Sequence, residues 1–139
     1  MSPETVTNVL NVLRIILAVV FVGAGISHFK PDVQRTMAAM IPPRLRSSGW
    51  RSPRNLVILT GVCEILGGLG LLLPATRVTS GVALAVFLVA VFPANAYAAR
   101  HKERFGIVAI PLVPRLIGQV ALIVLVLAVS LVGDQVTPG

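Results

Sequence analysis

The stretch LVILTGVCEILGGLGLLLPATRVTSGVALAVFLVAVFPANAYA (residues 56–98) holds two apolar segments that only the sequence PATR separates. Each segment is close to the roughly 20 residues that an α-helix needs to cross a bilayer. Pro74 ends the first helix, and so short a turn joins two antiparallel neighbours. The stretch therefore predicts a hairpin of two membrane-spanning helices, at about 56–73 and 78–98.

Two further apolar segments, at about 9–29 and 112–132, flank this hairpin. The chain is 55% hydrophobic and only 12% charged, which excludes an ordinary soluble domain and a disordered chain. In lipid, continuous apolar runs of this length satisfy their backbone hydrogen bonds as helices. The sequence thus predicts an all-α fold, a single integral membrane bundle of four transmembrane helices over residues 1–139.

Basic residues are distributed unequally between the two sides of such a bundle. Four spans place loops 30–54 and 99–111 on one side, and these loops contain nine of the twelve Lys and Arg residues. The opposite loops contain only Arg77. The positive-inside rule then predicts a multi-pass membrane protein with both long loops in the cytoplasm and both termini outside. The net charge of +7 is interpreted as this topology signal, so nucleic acid is not an expected partner.

The first of these loops contains a segment with a helical pattern. Val33, Met37, Met40 and Ile41 fall on one helical face, with charged and polar residues between them. Two consecutive prolines follow and end the pattern. We expect a short interfacial helix from about Pro31 to Ile41, and a position on the membrane surface is favoured over a role as a lid.

Two charged residues lie well inside the predicted spans, Arg14 in the first and Glu64 in the second. A lone charge at mid-bilayer costs roughly 2.5–3.5 kcal/mol on insertion scales, so it should be paired or functional. Measured from the cytoplasmic ends of their helices, Arg14 lies roughly 22 Å deep and Glu64 roughly 15 Å deep. A long arginine side chain and helix tilt can bridge this gap, which predicts a structural ion pair between the two residues. The alternative is that Glu64 carries protons or contacts a ligand.

Other polar residues fall near the same part of the bundle. Gln119 lies at about the depth of Glu64, while His28 and Asn95 lie near the cytoplasmic rim. Together they could line a cavity that opens to the cytoplasm, with glycines near Glu64 allowing close approach of a flat ligand. The predicted ligand-binding residues are Arg14, His28, Glu64, Asn95 and Gln119, and no residue is assigned as catalytic.

The chain offers little for metal or thiol chemistry. It has one cysteine, Cys63, so an intrachain disulfide or a CxxC pair is impossible. It has only two histidines and no HExxH motif, so no metal site is expected. Haem could bind through His28, but one histidine is weak evidence for a haem site, so haem is not expected either.

Three stretches together resemble the DoxX-like family of small bacterial four-helix membrane proteins: HFKPDVQRTMAAMIP (28–42), LTGVCEILGGLGLLLPATR (59–77) and VFPANAYAA (91–99). The likeness is to a branch with a VFPAN segment and covers about residues 14–115. It implies a four-helix bundle in the cytoplasmic membrane, with some relatives serving thiosulfate:quinone oxidoreductase or other redox enzymes. The typical helix-one arginine and helix-two glutamate of that family correspond to Arg14 and Glu64.

The favoured function is therefore a redox-associated accessory component that binds a quinone or a similar lipid-soluble molecule and is not an enzyme by itself. One alternative is a small proton-coupled transporter that uses Glu64. Another is an intramembrane isomerase in which Glu64 and His28 share acid–base work, although their depths should differ by more than about 10 Å at helical rise. Expected partners are the lipid bilayer, a membrane-associated oxidoreductase and a second copy of the chain, through the small-residue face of Ala90, Ala94 and Ala98.

Overall fold

A computed structural model gives the fold of residues 1–106 and 110–132, and these residues are helical apart from short connections. These described residues form seven α-helices, of which three have 20 or more residues and four are shorter. In chain order they are α1 (Pro3–Ser27), α2 (Pro31–Met40), α3 (Pro53–Leu72), α4 (Arg77–Ala90), α5 (Phe92–Arg100), α6 (Lys102–Phe105) and α7 (Leu112–Leu131). Single turns of 3₁₀-helix at Pro43–Leu45 and Gly49–Arg51 lie between α2 and α3.

Within the described residues, four helical stretches are long and apolar enough to cross a membrane. They are Pro3–Ser27, Pro53–Leu72, Arg77–Arg100 and Leu112–Leu131. This confirms the predicted number and order of apolar helices. The first begins about two turns before the predicted start at residue 9, because Ser2 caps it by accepting a hydrogen bond from the Thr5 amide at 3.2 Å.

The PATR sequence forms the predicted tight turn between α3 and α4. The Thr76 hydroxyl donates to the Gly70 carbonyl at 2.9 Å, and the Arg77 guanidinium donates to the Leu71 carbonyl at 3.3 Å. These bonds satisfy carbonyls at the end of α3 that no longer have a helical partner. The turn therefore holds α3 and α4 together as an antiparallel hairpin.

The four long helical stretches pack as a ring in which α1 contacts α3, α3 contacts α4, α4 contacts α7 and α7 returns to α1. An apolar core fills the half of the bundle near the PATR turn. It consists of Leu10, Leu17, Phe21, Leu71, Leu84, Leu88, Val126 and Val129. The outward faces are apolar as well, with Val19 and Val113 each 67% exposed. Apolar surfaces inside and outside fit a multi-pass membrane protein.

The register between α1 and α3 leaves one end of α3 uncovered. Gly25 faces Gly61, and Gly68 packs against Ala18 and Phe21. The end of α1 is therefore level with about residue 60 of α3, and about two turns of α3 extend beyond it. Helix α2 packs across this extension. The predicted helix at residues 31–41 is thus present as α2, and its position at a membrane interface stays a prediction.

A break between α4 and α5 adds space beside the same turns of α3. Val91 separates α4 from α5, and Pro93 follows in the first turn of α5. Proline has no N–H to donate and its ring crowds the carbonyl four residues before it, so the helix cannot continue straight. The chain therefore bends at the VFPAN segment.

Two of the three residues of the predicted dimer face, Ala94 and Ala98, have contacts within the chain itself. Ala98 is fully buried and packs with Met40 and Phe105 in a small second core. Ala94 packs against the same cluster. Dimerisation stays a prediction, and Ala94 and Ala98 serve the contact between α2 and α5.

Candidate functional site

A cavity of about 520 Å³ lies between the extension of α3, the bend between α4 and α5, and the segment from α2 to Leu45. Most of its wall is apolar, with side chains from all three of these parts. The polar residues on the wall are His28, Thr60, Cys63, Glu64 and Asn95. A concave apolar site with few convergent polar groups is the usual form of a small-molecule site.

The central polar contact joins His28 and Glu64. The imidazole Nε2 lies 3.0 Å from the carboxyl Oε2, and the two residues are only 4% and 9% exposed. His28 directly follows the last residue of α1, and Gly61 allows it to lie against α3, since a Cβ at Gly61 would be 2.8 Å from the His28 Cβ. A glycine on α3 thus brings the end of α1 to the carboxylate.

The other ring nitrogen of His28 defines the protonation of this contact. Nδ1 lies 3.1 Å from the Val57 carbonyl oxygen and 3.0 Å from the Thr60 hydroxyl, which itself donates to Val57 at 2.8 Å. A carbonyl oxygen can only accept, so Nδ1 carries a hydrogen. Nε2 then needs one more proton between itself and Glu64, held either by the carboxylic acid or by an imidazolium. The 3.0 Å separation of Nε2 and Oε2 is short enough for the two groups to share one proton.

Arg14 has different partners from those predicted. Its Nε donates to the Val129 carbonyl at 2.8 Å, and its Nη1 donates to the Asn11 side chain at 2.7 Å. Among the ion pairs of the described residues, Glu64 is joined to His28 and not to Arg14. The predicted Arg14–Glu64 ion pair is therefore replaced by two separate sites.

The helix register explains this difference. The prediction assumed that α1 and α3 end at the same level, whereas α3 extends about two turns further. Arg14 is therefore level with the last turn of α3, about 15 Å along the axis from Glu64. The same offset brings His28 into contact with Glu64, although a separation above about 10 Å was expected.

The five predicted ligand-binding residues divide into two groups. His28, Glu64 and Asn95 line the cavity, as the structure places them on its wall. Arg14 is buried near the opposite end of the bundle, and Gln119 is half-buried on α7, outside the residues that line the cavity. The cavity therefore has one acid–base pair and one amide where the sequence predicted a longer row of polar residues.

The sequence did not predict that Thr60 lines the cavity. It also did not predict that the segment from α2 to Leu45 covers the cavity, and this segment is called the roof below. Thr60 precedes Glu64 by four residues, so helical spacing alone places both on one face. Met37, Met40 and Ile41, which form the apolar face of the predicted interfacial helix, line the cavity. The segment had been favoured as a surface element, and the structure shows it covering the site.

Two polar contacts hold this roof in place. The Gln34 amide donates to the His28 carbonyl at 3.1 Å, and the Arg54 guanidinium donates to the Gln34 side-chain oxygen at 3.2 Å. Gln34 therefore connects α2 to the end of α1 and to the start of α3. The roof and the His28–Glu64 pair share His28 as a common support.

Between α3 and α4 the cavity reaches the outer surface of the bundle. Leu59, Cys63 and Ala90 line it and are themselves exposed. Because the outer surface is apolar, this side opening faces the region that lipid would occupy in a membrane.

In the described part of the chain, no group of three or more His, Cys, Asp or Glu residues could hold a metal ion.

Comparisons with known proteins add a family but no activity. No curated protein and no solved structure shows significant similarity to this chain. The resemblance to DoxX-like proteins is a separate expectation that these comparisons do not address. One family, described as a domain of unknown function (DUF8561), matches residues 17–130, which is most of the chain. The chain therefore belongs to the DUF8561 family.

Proposed function

We propose that this chain is a multi-pass protein of the bacterial cytoplasmic membrane that binds a quinone or a similar lipid-soluble molecule in the cavity beside His28 and Glu64. The observation that carries the proposal is the 3.0 Å contact between His28 Nε2 and Glu64 Oε2 on an otherwise apolar wall. A buried acid–base pair has no packing value that an apolar pair could not supply. Its placement on a cavity wall favours a role towards a ligand.

The membrane orientation follows from charge. Loops 30–54 and 99–111 contain nine basic residues, so they are assigned to the cytoplasm and both termini to the outside. The cavity then lies near the cytoplasmic side, with α2 close to the lipid headgroups. Trp50, just before α3, is 74% exposed, and its indole ring fits the headgroup region because indole rings favour the membrane interface.

The chemistry of the pair matches the needs of a quinone. A quinone carbonyl accepts hydrogen bonds, and its reduction to a hydroquinone takes up two electrons and two protons. The His28–Glu64 pair holds one exchangeable proton, and the Asn95 amide on the cavity wall can donate to a second oxygen. Both electrons have to come from a partner, a membrane-associated oxidoreductase, and the second proton from water on the cytoplasmic side, so the chain acts as an accessory component. The resemblance to DoxX-like proteins supports the same role.

The decisive experiment is mass spectrometry of protein extracted gently from its own membrane. We expect a stoichiometric quinone or isoprenoid to copurify with the wild-type protein and to be lost from Glu64→Gln and His28→Gln. Gln119→Ala is the matched control, because Gln119 lies outside the cavity, and it should retain the ligand. Only bulk phospholipid in the wild-type protein would refute the proposal.

An intramembrane isomerase is the second candidate, and one observation favours it. The sequence suggested that His28 and Glu64 were too far apart to share a reaction centre, whereas His28 Nε2 and Glu64 Oε2 lie 3.0 Å apart. An isomerase converts its substrate without an electron donor, while the accessory role requires one. Turnover of a copurified lipid by the isolated protein alone would favour the isomerase.

Proton-coupled transport is supported less well. A transporter needs access to its site from both sides of the membrane, and here the apolar core fills the half of the bundle beyond Glu64. In the part of the chain that the structure describes, the His28–Glu64 pair can therefore be reached only from the half of the bundle that contains the cavity, through the side opening or by movement of the roof. Uptake that depends on Glu64 and on a proton gradient would overturn this assignment.

A further inference from the structure

The seam between α3 and α4 contains a second concavity of about 440 Å³, which runs from the cavity toward the PATR turn. Cys63 and Phe87 line both the cavity and this groove, so the groove begins where the cavity ends. Its far end is at Thr79, eight residues before Phe87 on α4, which corresponds to about 12 Å. The two spaces together form one elongated depression with the polar pair at one end.

The walls of the groove suit an apolar chain. Its floor is formed by Gly67 and Leu84, which pack so closely that a Cβ at Gly67 would lie 2.5 Å from a Leu84 methyl carbon. Leu66 and Val86 form raised edges, and both are more than 60% exposed. Between these edges the small side chain of Ala83 leaves the groove open along the outer surface.

We propose that the ligand of the cavity is a lipid with a polar ring or head and a long unbranched or isoprenoid tail, and that the tail lies in the groove between α3 and α4. This inference rests on the proposed function. The head contacts the His28–Glu64 pair, and the tail leaves past Cys63 and Phe87. Two observations support the assignment. The cavity and the groove are continuous, and the cavity opens sideways to the outer surface, so a tailed molecule can enter from the bilayer.

The tail contributes affinity through burial of its apolar surface in the groove. A molecule with the same head and no tail should therefore bind more weakly, by at least about tenfold when several methylene groups are covered. Partition into detergent or lipid also depends on tail length, so the informative quantity is how a groove variant changes the ratio of the two affinities.

The test compares a quinone with a polyisoprenoid tail and its tailless analogue, bound to purified protein in nanodiscs. Ala83→Phe places a ring in the groove, and Ala121→Phe makes the same change on the exposed face of α7, away from both spaces. We expect Ala83→Phe to reduce the tailed-to-tailless affinity ratio about tenfold and to leave tailless binding unchanged. Ala121→Phe should match the wild-type ratio.

The outcomes separate the two proposals. If both quinones bind in a manner that needs Glu64 while Ala83→Phe leaves the ratio unchanged, the groove is covered by bulk lipid and the tail assignment is overturned. The proposed function survives that result. If neither quinone binds, or if binding is indifferent to both His28→Gln and Glu64→Gln, the proposed function and the tail assignment fail together.

Discussion

Gly25 and Gly61 lie face to face at the crossing of α1 and α3, and a Cβ added at Gly25 would be 2.6 Å from the Gly61 carbonyl oxygen. This contact brings the two backbones together one turn from the His28–Glu64 pair. The geometry of the candidate site thus depends on a glycine crossing that carries no chemistry of its own. Small residues at such crossings allow close approach in membrane helices.

Replacing Gly61 by alanine should separate these helices. The new Cβ would lie 2.8 Å from the His28 Cβ and 2.9 Å from the Gly25 carbonyl oxygen, so a backbone has to move. We expect a loss of about 1–3 kcal/mol in the free energy of unfolding, as for other overpacked sites. Reversible unfolding in mixed detergent measures it. Gly23→Ala is the control, since nothing lies within 4 Å of its Cβ position. Equal stability of the two variants would contradict the account of the crossing.

The contact between His28 and Glu64 should appear as a coupling energy. Changing one partner alone leaves the other buried without its counterpart, which is costly in a region of low dielectric. Changing both removes the problem, so His28→Leu with Glu64→Leu should be less damaging than the sum of the single variants, by about 0.5–3 kcal/mol. A double-mutant cycle on unfolding free energies measures this difference. Strict additivity would mean that the pair does not form.

Arg14 and Glu64 should behave independently. The two residues lie about 15 Å apart along the bundle and have separate partners, and effects of distant sites add to within about 0.3–0.5 kcal/mol. Arg14→Leu removes the bonds to Val129 and Asn11, and it should cost about 1–3 kcal/mol in unfolding free energy. Combined with Glu64→Leu, the losses should sum. A large coupling energy between these positions would restore the ion pair predicted from the sequence.

Gln34 should control opening of the roof. Gln34→Ala removes the bond to the His28 carbonyl and the acceptor for Arg54, so α2 loses two of its connections to the bundle. We expect faster amide hydrogen exchange over residues 31–41 and faster release of bound ligand. Arg35→Ala is the matched control, because Arg35 pairs only with the exposed Asp32 on the same helix and such pairs contribute little. If both variants exchange at the same rate, Gln34 does not hold the roof.

Particular residues show how far the sequence could lead. The PATR turn and the four apolar segments were sufficient to predict the helices and their order, because backbone satisfaction in lipid leaves few alternatives. The helix register could not be predicted. It is set by which glycine meets which, and Gly25 against Gly61 shifts α3 by about two turns relative to flush ends. Because of this shift, Glu64 contacts His28 and not the predicted partner Arg14.

The contact of residues 31–41 with the cavity could not be predicted, for a similar reason. Met37, Met40 and Ile41 form an apolar face in either interpretation, and the pattern does not say whether that face meets lipid or a cavity. The bend at Pro93 and the uncovered turns of α3 create the cavity that this face covers. Neither is visible in the periodicity of residues 31–41, since both depend on the meeting of distant segments.

Cys63 gives the molecule a reporter position that requires no engineering. It is the only cysteine in the chain, it is exposed, and it lies at the junction of the cavity and the groove. A fluorophore or nitroxide attached to that thiol therefore samples the point that any molecule moving between the two spaces has to pass. The rate of thiol labelling, with and without an added lipid, becomes a direct reading of occupancy in the intact membrane.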